Sequence, residues 1–302
     1  MMMRDCLLYF RLTRPAFLSI TLLGCLMGYV LVPPSEHRSP ALNGLALLLA
    51  LIAHASANVL NDYFDHLNHS DAVNVDRIYP FTGGSRFIQN HLVSPKQTLF
   101  AGLLLFFIAA LLGAYLINAT GMSLLPLGAL GLLLVWAYSA PPFQLMSRGM
   151  AGELAIALAW SLLVVGFAGF QSLQWLTKSA PLGLGYGLMV ANILYLNQIP
   201  DIKADKHAGK RTLAASCSPK HYWAIYLLLV MIAYTIQAIG VITALCPSSS
   251  LASLVVLPAF IHCCYCLKKS PNSQHDLKRI IINNLIAVHV YAAMICLALY
   301  AL

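Results

Sequence analysis

Nine apolar runs follow one another along the chain, near residues 16–33, 41–61, 98–117, 121–138, 151–171, 180–199, 221–245, 250–267 and 280–301. Each approaches the length of about 20 residues that a helix needs to cross a bilayer. The pattern predicts an all-α, polytopic membrane protein: nine transmembrane helices in one bundle, forming a single domain over 1–302. The third and fourth runs are separated by Asn118-Ala-Thr-Gly121, a sequence suited to a tight helix-to-helix turn. Two runs, the second and the sixth, end in dense polar sequence. The segments that follow them, near 62–97 and 200–220, are the longest polar stretches.

Composition agrees with a membrane protein. Hydrophobic residues make up 60% of the chain and charged residues 9%, against about 45–50% and 25% in soluble domains. The mean hydropathy is +0.76. The net charge of +8 does not imply nucleic acid, because the basic residues are distributed by membrane topology. With the N-terminus cytoplasmic, all but Arg38 and Lys178 of the 18 Lys and Arg fall in cytoplasmic segments, as the positive-inside rule requires. Both Asp-rich segments then face the cytoplasm. Arg4, Arg11 and Arg14 precede the first run, which is read as an uncleaved span of a cell-membrane protein of bacterial or archaeal type. The eight cysteines are scattered. Cys263, Cys264 and Cys266 lie in a span and are read as small buried residues rather than a metal site beside His262.

Of the ten acidic residues, Asp62, Asp65, Asp71, Asp76, Asp201 and Asp205 occur at the ends of the second and sixth runs. In Asn197-Gln-Ile-Pro-Asp201-Ile-Lys-Ala-Asp205, spacing by four puts Asn197, Asp201 and Asp205 on one face if the stretch is helical. Asn61 and Asp65 repeat the spacing, and Asp71 follows six further on. Carboxylate and amide oxygens are hard ligands suited to Mg²⁺. Lys203, Lys206, Lys210 and Arg211 come directly after the second motif, so an anion can sit beside the metal. Two such clusters at one membrane face could hold a diphosphate whose hydrocarbon tail lies in the bundle. Ionisation of an allylic C–O bond would follow, with the metal and the cations stabilising the leaving group. A transporter is the rival reading, but its polar residues belong near the midplane rather than at span ends. His54, Asn192, Tyr195, Asn283 and His289 do fall within spans. Interhelical hydrogen bonding is the commoner role for each.

The two motifs resemble those of the UbiA superfamily of intramembrane prenyltransferases. So do Arg14-Pro15, Pro80-Phe-Thr-Gly-Gly-Ser-Arg86 and Tyr138-Ser-Ala-Pro-Pro-Phe143. The step of six from Asp65 to Asp71 resembles the branch that prenylates 1,4-dihydroxy-2-naphthoate in menaquinone synthesis. The branch using 4-hydroxybenzoate has a step of four. The resemblance implies Mg²⁺-dependent transfer from a polyprenyl diphosphate to an aromatic acceptor. It makes Asn61, Asp62, Asp65, Asp71, Asn197, Asp201 and Asp205 the metal-binding set, with Asp65, Asp71, Asp201 and Asp205 central to catalysis. Arg77, Lys206 and Lys210 are assigned to the diphosphate, and Tyr138 and Arg148 to a loop near the substrates. His69 stands where that branch has Gly. Since a bulky residue disfavours positive φ, the turn is expected to place Asn68, not His69, in the left-handed region.

Overall fold

The computed structural model describes residues 2–269 and 273–301, with side chains from residue 7 onward. Its principal helices are α1 (Met2–Leu12), α2 (Leu18–Val30), α3 (Pro40–Leu67), α4 (Ser70–Val73), α5 (Pro95–Thr120), α6 (Leu125–Ser139), α7 (Ala151–Gln171), α8 (Trp175–His207), α9 (Leu213–Ser216), α10 (Tyr222–Ile242), α11 (Leu257–Lys269) and α12 (Gln274–Tyr300). Among the described residues, eight helical segments are long and apolar enough to cross a membrane, and a shorter apolar segment, Pro15–Val30, occupies the first expected run. The all-α expectation holds apart from one parallel bridge, β1 (Arg148–Gly149) with β2 (Arg211–Thr212).

Local sequence sets the helix starts. Ser39 caps α3, its Oγ accepting from Leu42 N, with Pro40 in the first turn, where a missing N–H costs nothing. Ser94 and Gln97 form a reciprocal capping box on α5. At the close of α5, Gly121 takes φ 98°, and the turn predicted there leads through a short 3₁₀ segment into α6. The Asp-rich stretches are more helical than expected: α3 continues through Asp62 and Asp65, and α8 continues through Pro200 to His207.

The helices divide into two groups. Helices α10, α11 and α12 pack behind α8 and α2 around a dense core with Tyr186, Tyr195, Tyr226, Tyr291 and Phe260 fully buried. Several intramembrane polar groups here meet partners, while Asn192 Oδ1 and Asn284 Nδ2 have none among the described residues. Asn192 Nδ2 donates to Tyr226 O at 3.3 Å, Tyr195 Oη to Tyr222 O at 3.3 Å, and Tyr226 Oη to Asn284 Oδ1 at 2.8 Å. His289 Nε2 meets Ser19 Oγ at 2.8 Å. Cys263 and Cys264 are buried, as expected, whereas Cys266 is only half-buried, its Sγ 3.5 Å from His262 Nε2. Helices α2, α3, α5, α6, α7 and α8 surround a cavity instead. The contact between α7 and α8 is close: a Cβ on Gly187 would lie 2.0 Å from Ala157 O, so only glycine permits this approach.

Candidate active site

Helix α3 presents Asn58, Asn61 and Asp65 to the cavity. Asn61 Nδ2 donates to Asp65 Oδ2 at 3.2 Å, the contact that a spacing of four predicts. Asp62 lies on the neighbouring face. It pairs with Arg14 and accepts from Ser85 N at 3.2 Å, so it stands behind the cavity wall rather than on it. After Leu67 the chain turns through His69 at φ 65°, while Asn68 stays at φ −87°. This corrects the expectation for Asn68. Its side chain is already committed, with Nδ2 donating to Asp65 Oδ1 at 3.2 Å and Oδ1 accepting from Ser70 N at 2.9 Å. The left-handed geometry therefore falls to His69, and it delivers Asp71 on α4 to the cavity.

The segment after α4 folds back over these groups. Arg86 donates to the carbonyls of Asp71 and Asn74 at 2.5 and 3.3 Å. Asn74 Nδ2 and Gly83 N reach across to Asp201, at 2.7 and 3.1 Å. Gly84, at φ +68°, lies where a Cβ would be 2.3 Å from Asp71 Oδ2 and 3.1 Å from Asp62 Oδ1. Only glycine fits this cradle.

Asn197, Asp201 and Asp205 face the cavity from α8, as their spacing predicts. The helix ends in a Schellman motif: Gly209 N donates to Lys206 O at 3.1 Å and Lys210 N to Asp205 O at 2.8 Å, with Gly209 at φ 73°. This reversal folds Lys210 back onto the acids. Its Nζ lies 2.5 Å from Asp65 and 3.6 Å from Asp205, and so bridges the two motifs. The pairing of β2 with β1 anchors the residues that follow.

Five carboxylates thus converge on two inward cations, Arg14 and Lys210. Burial opposes the charge of Lys210, but Asp65 and Asp205 outweigh it and raise its pKa. Burial pushes Asp71 up to about 8, with further repulsion from Asp65 and Asp62. Three buried oxygens, Asp62 Oδ2, Asp71 Oδ2 and Asn197 Oδ1, have no hydrogen-bond partner. Among the described residues, no three His, Cys, Asp or Glu side chains converge closely enough to form a metal shell unaided.

Not every expected residue comes to this place. Tyr138 lines the cavity from α6. Arg77 does not; its guanidinium lies over the Tyr79 ring, 5.7 Å from the centroid. Lys206 is exposed. Arg148 is exposed as well and donates to Pro142 O at 2.5 Å. The functional reading of the residues missed Arg14, Asn74 and Gly83. Arg14-Pro15 was visible as a motif, and an arginine directly before an apolar run is a signal. Asn74 and Gly83 carried no comparable signal beyond lying near the first motif.

From this acidic mouth the cavity, about 470 Å³, runs between apolar walls to Ala46 on α3, Thr120 on α5 and Phe170 on α7. From Asp65 to Ala46 the path along α3 is about 28 Å at 1.5 Å per residue.

Comparison with known proteins agrees with this architecture. The model of the UbiA prenyltransferase family matches residues 21–301. A 1,4-dihydroxy-2-naphthoate octaprenyltransferase of Haemophilus influenzae is 28% identical over 67% of this chain and 65% of its own length. The corresponding Bacillus subtilis protein is 27% identical over 68% and 64%. The chain thus matches just under two thirds of the length of these relatives. A UbiA prenyltransferase domain-containing protein 1 of Dictyostelium discoideum is 29% identical over 74% of this chain and 67% of its own. Among solved structures, a UbiA homologue from Archaeoglobus fulgidus bound to GPP and Mg²⁺ shares the fold, with a TM-score of 0.66 at 16% identity over 97% of this chain and 99% of that one. With the family model spanning nearly all of the bundle, the chain belongs to the UbiA prenyltransferase family.

Proposed function

We propose that this protein transfers a polyprenyl group from a polyprenyl diphosphate to 1,4-dihydroxy-2-naphthoate, with Mg²⁺, and releases diphosphate. The observation that carries the reading is the junction of an acidic mouth with a long apolar cavity. A diphosphate fits the one and a prenyl tail the other. The names of the Haemophilus and Bacillus relatives support the choice of acceptor, as does the six-residue step in the first motif.

The residues present suit a divalent cation. Carboxylates outnumber the inward cations, and Asp71 Oδ2 and Asn197 Oδ1 are buried without partners. Asn61, Asp65, Asp71, Asn197, Asp201 and Asp205 would hold it, with diphosphate oxygens completing the shell, as is usual for Mg²⁺. Asp62 supports the site by holding Arg14 and the Ser85 amide. When bound, Mg²⁺ supplies charge neutralisation of the leaving diphosphate.

The chain's own groups do the rest. Lys210 and Arg14 can donate to diphosphate oxygens as the allylic C–O bond breaks and its electron pair leaves with the diphosphate. The apolar walls hold the tail and exclude water, so the allylic cation meets the aromatic ring instead of hydrolysing. The new C–C bond forms at a ring carbon, which then loses its proton or, at the carboxylated position, carbon dioxide.

Purified protein with Mg²⁺ and a long-chain prenyl diphosphate should convert 1,4-dihydroxy-2-naphthoate, measured by mass spectrometry of the product. Product from 4-hydroxybenzoate alone would overturn the assignment of acceptor. Product from neither acceptor would overturn the proposed reaction.

A further inference from the structure

Below the acidic mouth the cavity wall is mostly apolar as far as Thr120, and polar side chains gather at one level, where Thr21, His54 and Trp160 meet. There α3 carries His54, four residues before Asn58 and seven before Asn61, on the face that bears the motif. His54 lines the cavity. Its Nδ1 meets Thr21 Oγ1 of α2 at 2.7 Å. The ring is also set edge-to-face against Trp160 of α7, with centroids 5.0 Å apart and planes at 89°. Contacts from two other helices therefore fix its position and tilt.

The proton inventory is informative. The Thr21 contact allows the tautomer in which its hydroxyl donates to Nδ1 and the ring proton resides on Nε2. Nε2 has no protein partner and is not among the buried unpartnered atoms. It is open to the cavity that the ring lines. In that tautomer an N–H donor faces the cavity beneath the diphosphate site.

We infer that His54 Nε2–H binds an oxygen of the aromatic acceptor and thereby orients the ring toward the allylic carbon. This deepens the proposed function and rests on it. A prenyl tail has no acceptor atom and no use for such a donor. An oxygenated ring brought into an apolar cavity loses its hydration and needs a partner there. Attack requires the ring carbon to lie about 3–3.5 Å from the allylic carbon, which hangs one bond beyond the diphosphate oxygen. His54 stands two helical turns below Asn61, about 10 Å along the axis. A ring lying between these levels can meet both His54 and the allylic carbon. The role is recognition of the acceptor, separate from binding of the donor by Asp65, Asp71, Asp201 and Asp205.

The test is His54→Phe and His54→Gln in the full-length, detergent-purified protein. KM is measured separately for 1,4-dihydroxy-2-naphthoate and for the prenyl diphosphate. Binding of the naphthoate to donor-free protein is followed in parallel by quenching of tryptophan fluorescence. Loss of the donor in His54→Phe should raise the acceptor KM and weaken acceptor binding about 10-fold, the usual scale for an uncompensated hydrogen bond. The KM for the prenyl diphosphate should stay within about twofold, and His54→Gln, which keeps an N–H donor, should recover most of the acceptor affinity. An unchanged acceptor KM in His54→Phe overturns the inference. So does a parallel rise in both KM values with a lower melting temperature, which marks a structural role. Wild-type protein that binds and converts no naphthoate fails at the functional reading itself, before the variants are compared.

Discussion

Lys210 is 8% exposed and sits between Asp65 and Asp205, one carboxylate from each motif. Lys210→Met leaves both acids facing one another without a counter-charge. Breaking a buried ion pair from one side typically costs about 3–5 kcal/mol, and losing a donor to a leaving group costs about 10²–10³ in kcat. The variant should melt earlier without Mg²⁺ and turn over at least about 100-fold more slowly. Lys206→Met, on the exposed side of the same turn, should stay within about twofold of wild type in a steady-state assay, as surface changes usually do. Sequence placed both lysines after the second motif and could not rank them. What separates them is the reversal at Gly209, which brings the backbone N of Lys210 back to Asp205 O. A motif of polar residues shows that a cation is near; the chain's direction after the helix decides which one turns in. Arg14 and Arg77 show the same limit in reverse. Arg14 reaches Asp62 from a segment 48 residues away in sequence, whereas Arg77, adjacent to the motif, stacks on Tyr79.

At the scale of elements, the helical faces were legible and the loop between α4 and α5 was not. Spacing by four set Asn61 with Asp65 and Asn197 with Asp201 and Asp205, and both groups lie on cavity-facing helix ends. Periodicity is a local property and survives into the structure. The loop is fixed instead by long-range contacts, such as Asn74 and Gly83 on Asp201 and Arg86 on the Asp71 and Asn74 carbonyls. No spacing encodes these. Gly84 is where the loop meets the acids. Gly84→Ala would force Cβ to 2.3 Å from Asp71 Oδ2 at φ +68°, on top of a left-handed penalty of about 1–2 kcal/mol. The expected result is a lower melting temperature and a higher Mg²⁺ requirement for turnover, read from a metal titration. A wild-type Mg²⁺ dependence in this variant would show that the loop does not shape the metal site.

Across the whole molecule, the bundle separates a packed half from a hollow half. Helices α10–α12 pair many of their buried polar groups with one another, through contacts such as Tyr226 Oη to Asn284 Oδ1 at 2.8 Å and Tyr291 Oη to Gln237 Oε1 at 3.2 Å. Helices α3, α5, α6 and α7 leave the space that a long tail can fill. Hydropathy cannot distinguish the halves, because a lipid-facing, a core-facing and a cavity-facing leucine read alike. We propose that the acidic mouth faces the cytoplasm, because Lys and Arg are concentrated in the segments around both Asp motifs and the positive-inside rule favours that side for them. Single cysteines introduced at Val75 and Lys203, both exposed, should react with an impermeant maleimide only from the cytoplasmic side. Labelling from the opposite side alone would reverse the topology.

The proposed role of the acidic mouth is to hold a metal-bound diphosphate and activate it for transfer. Its most direct test is Mg²⁺-dependent release of diphosphate from a long-chain prenyl diphosphate in the presence of 1,4-dihydroxy-2-naphthoate, comparing wild type with Asp201→Asn and Asp205→Asn. Release by wild type should be abolished by chelation and reduced at least about 100-fold in both variants, with folded protein retained. Release that persists in the variants, or that does not depend on a divalent cation, would contradict it.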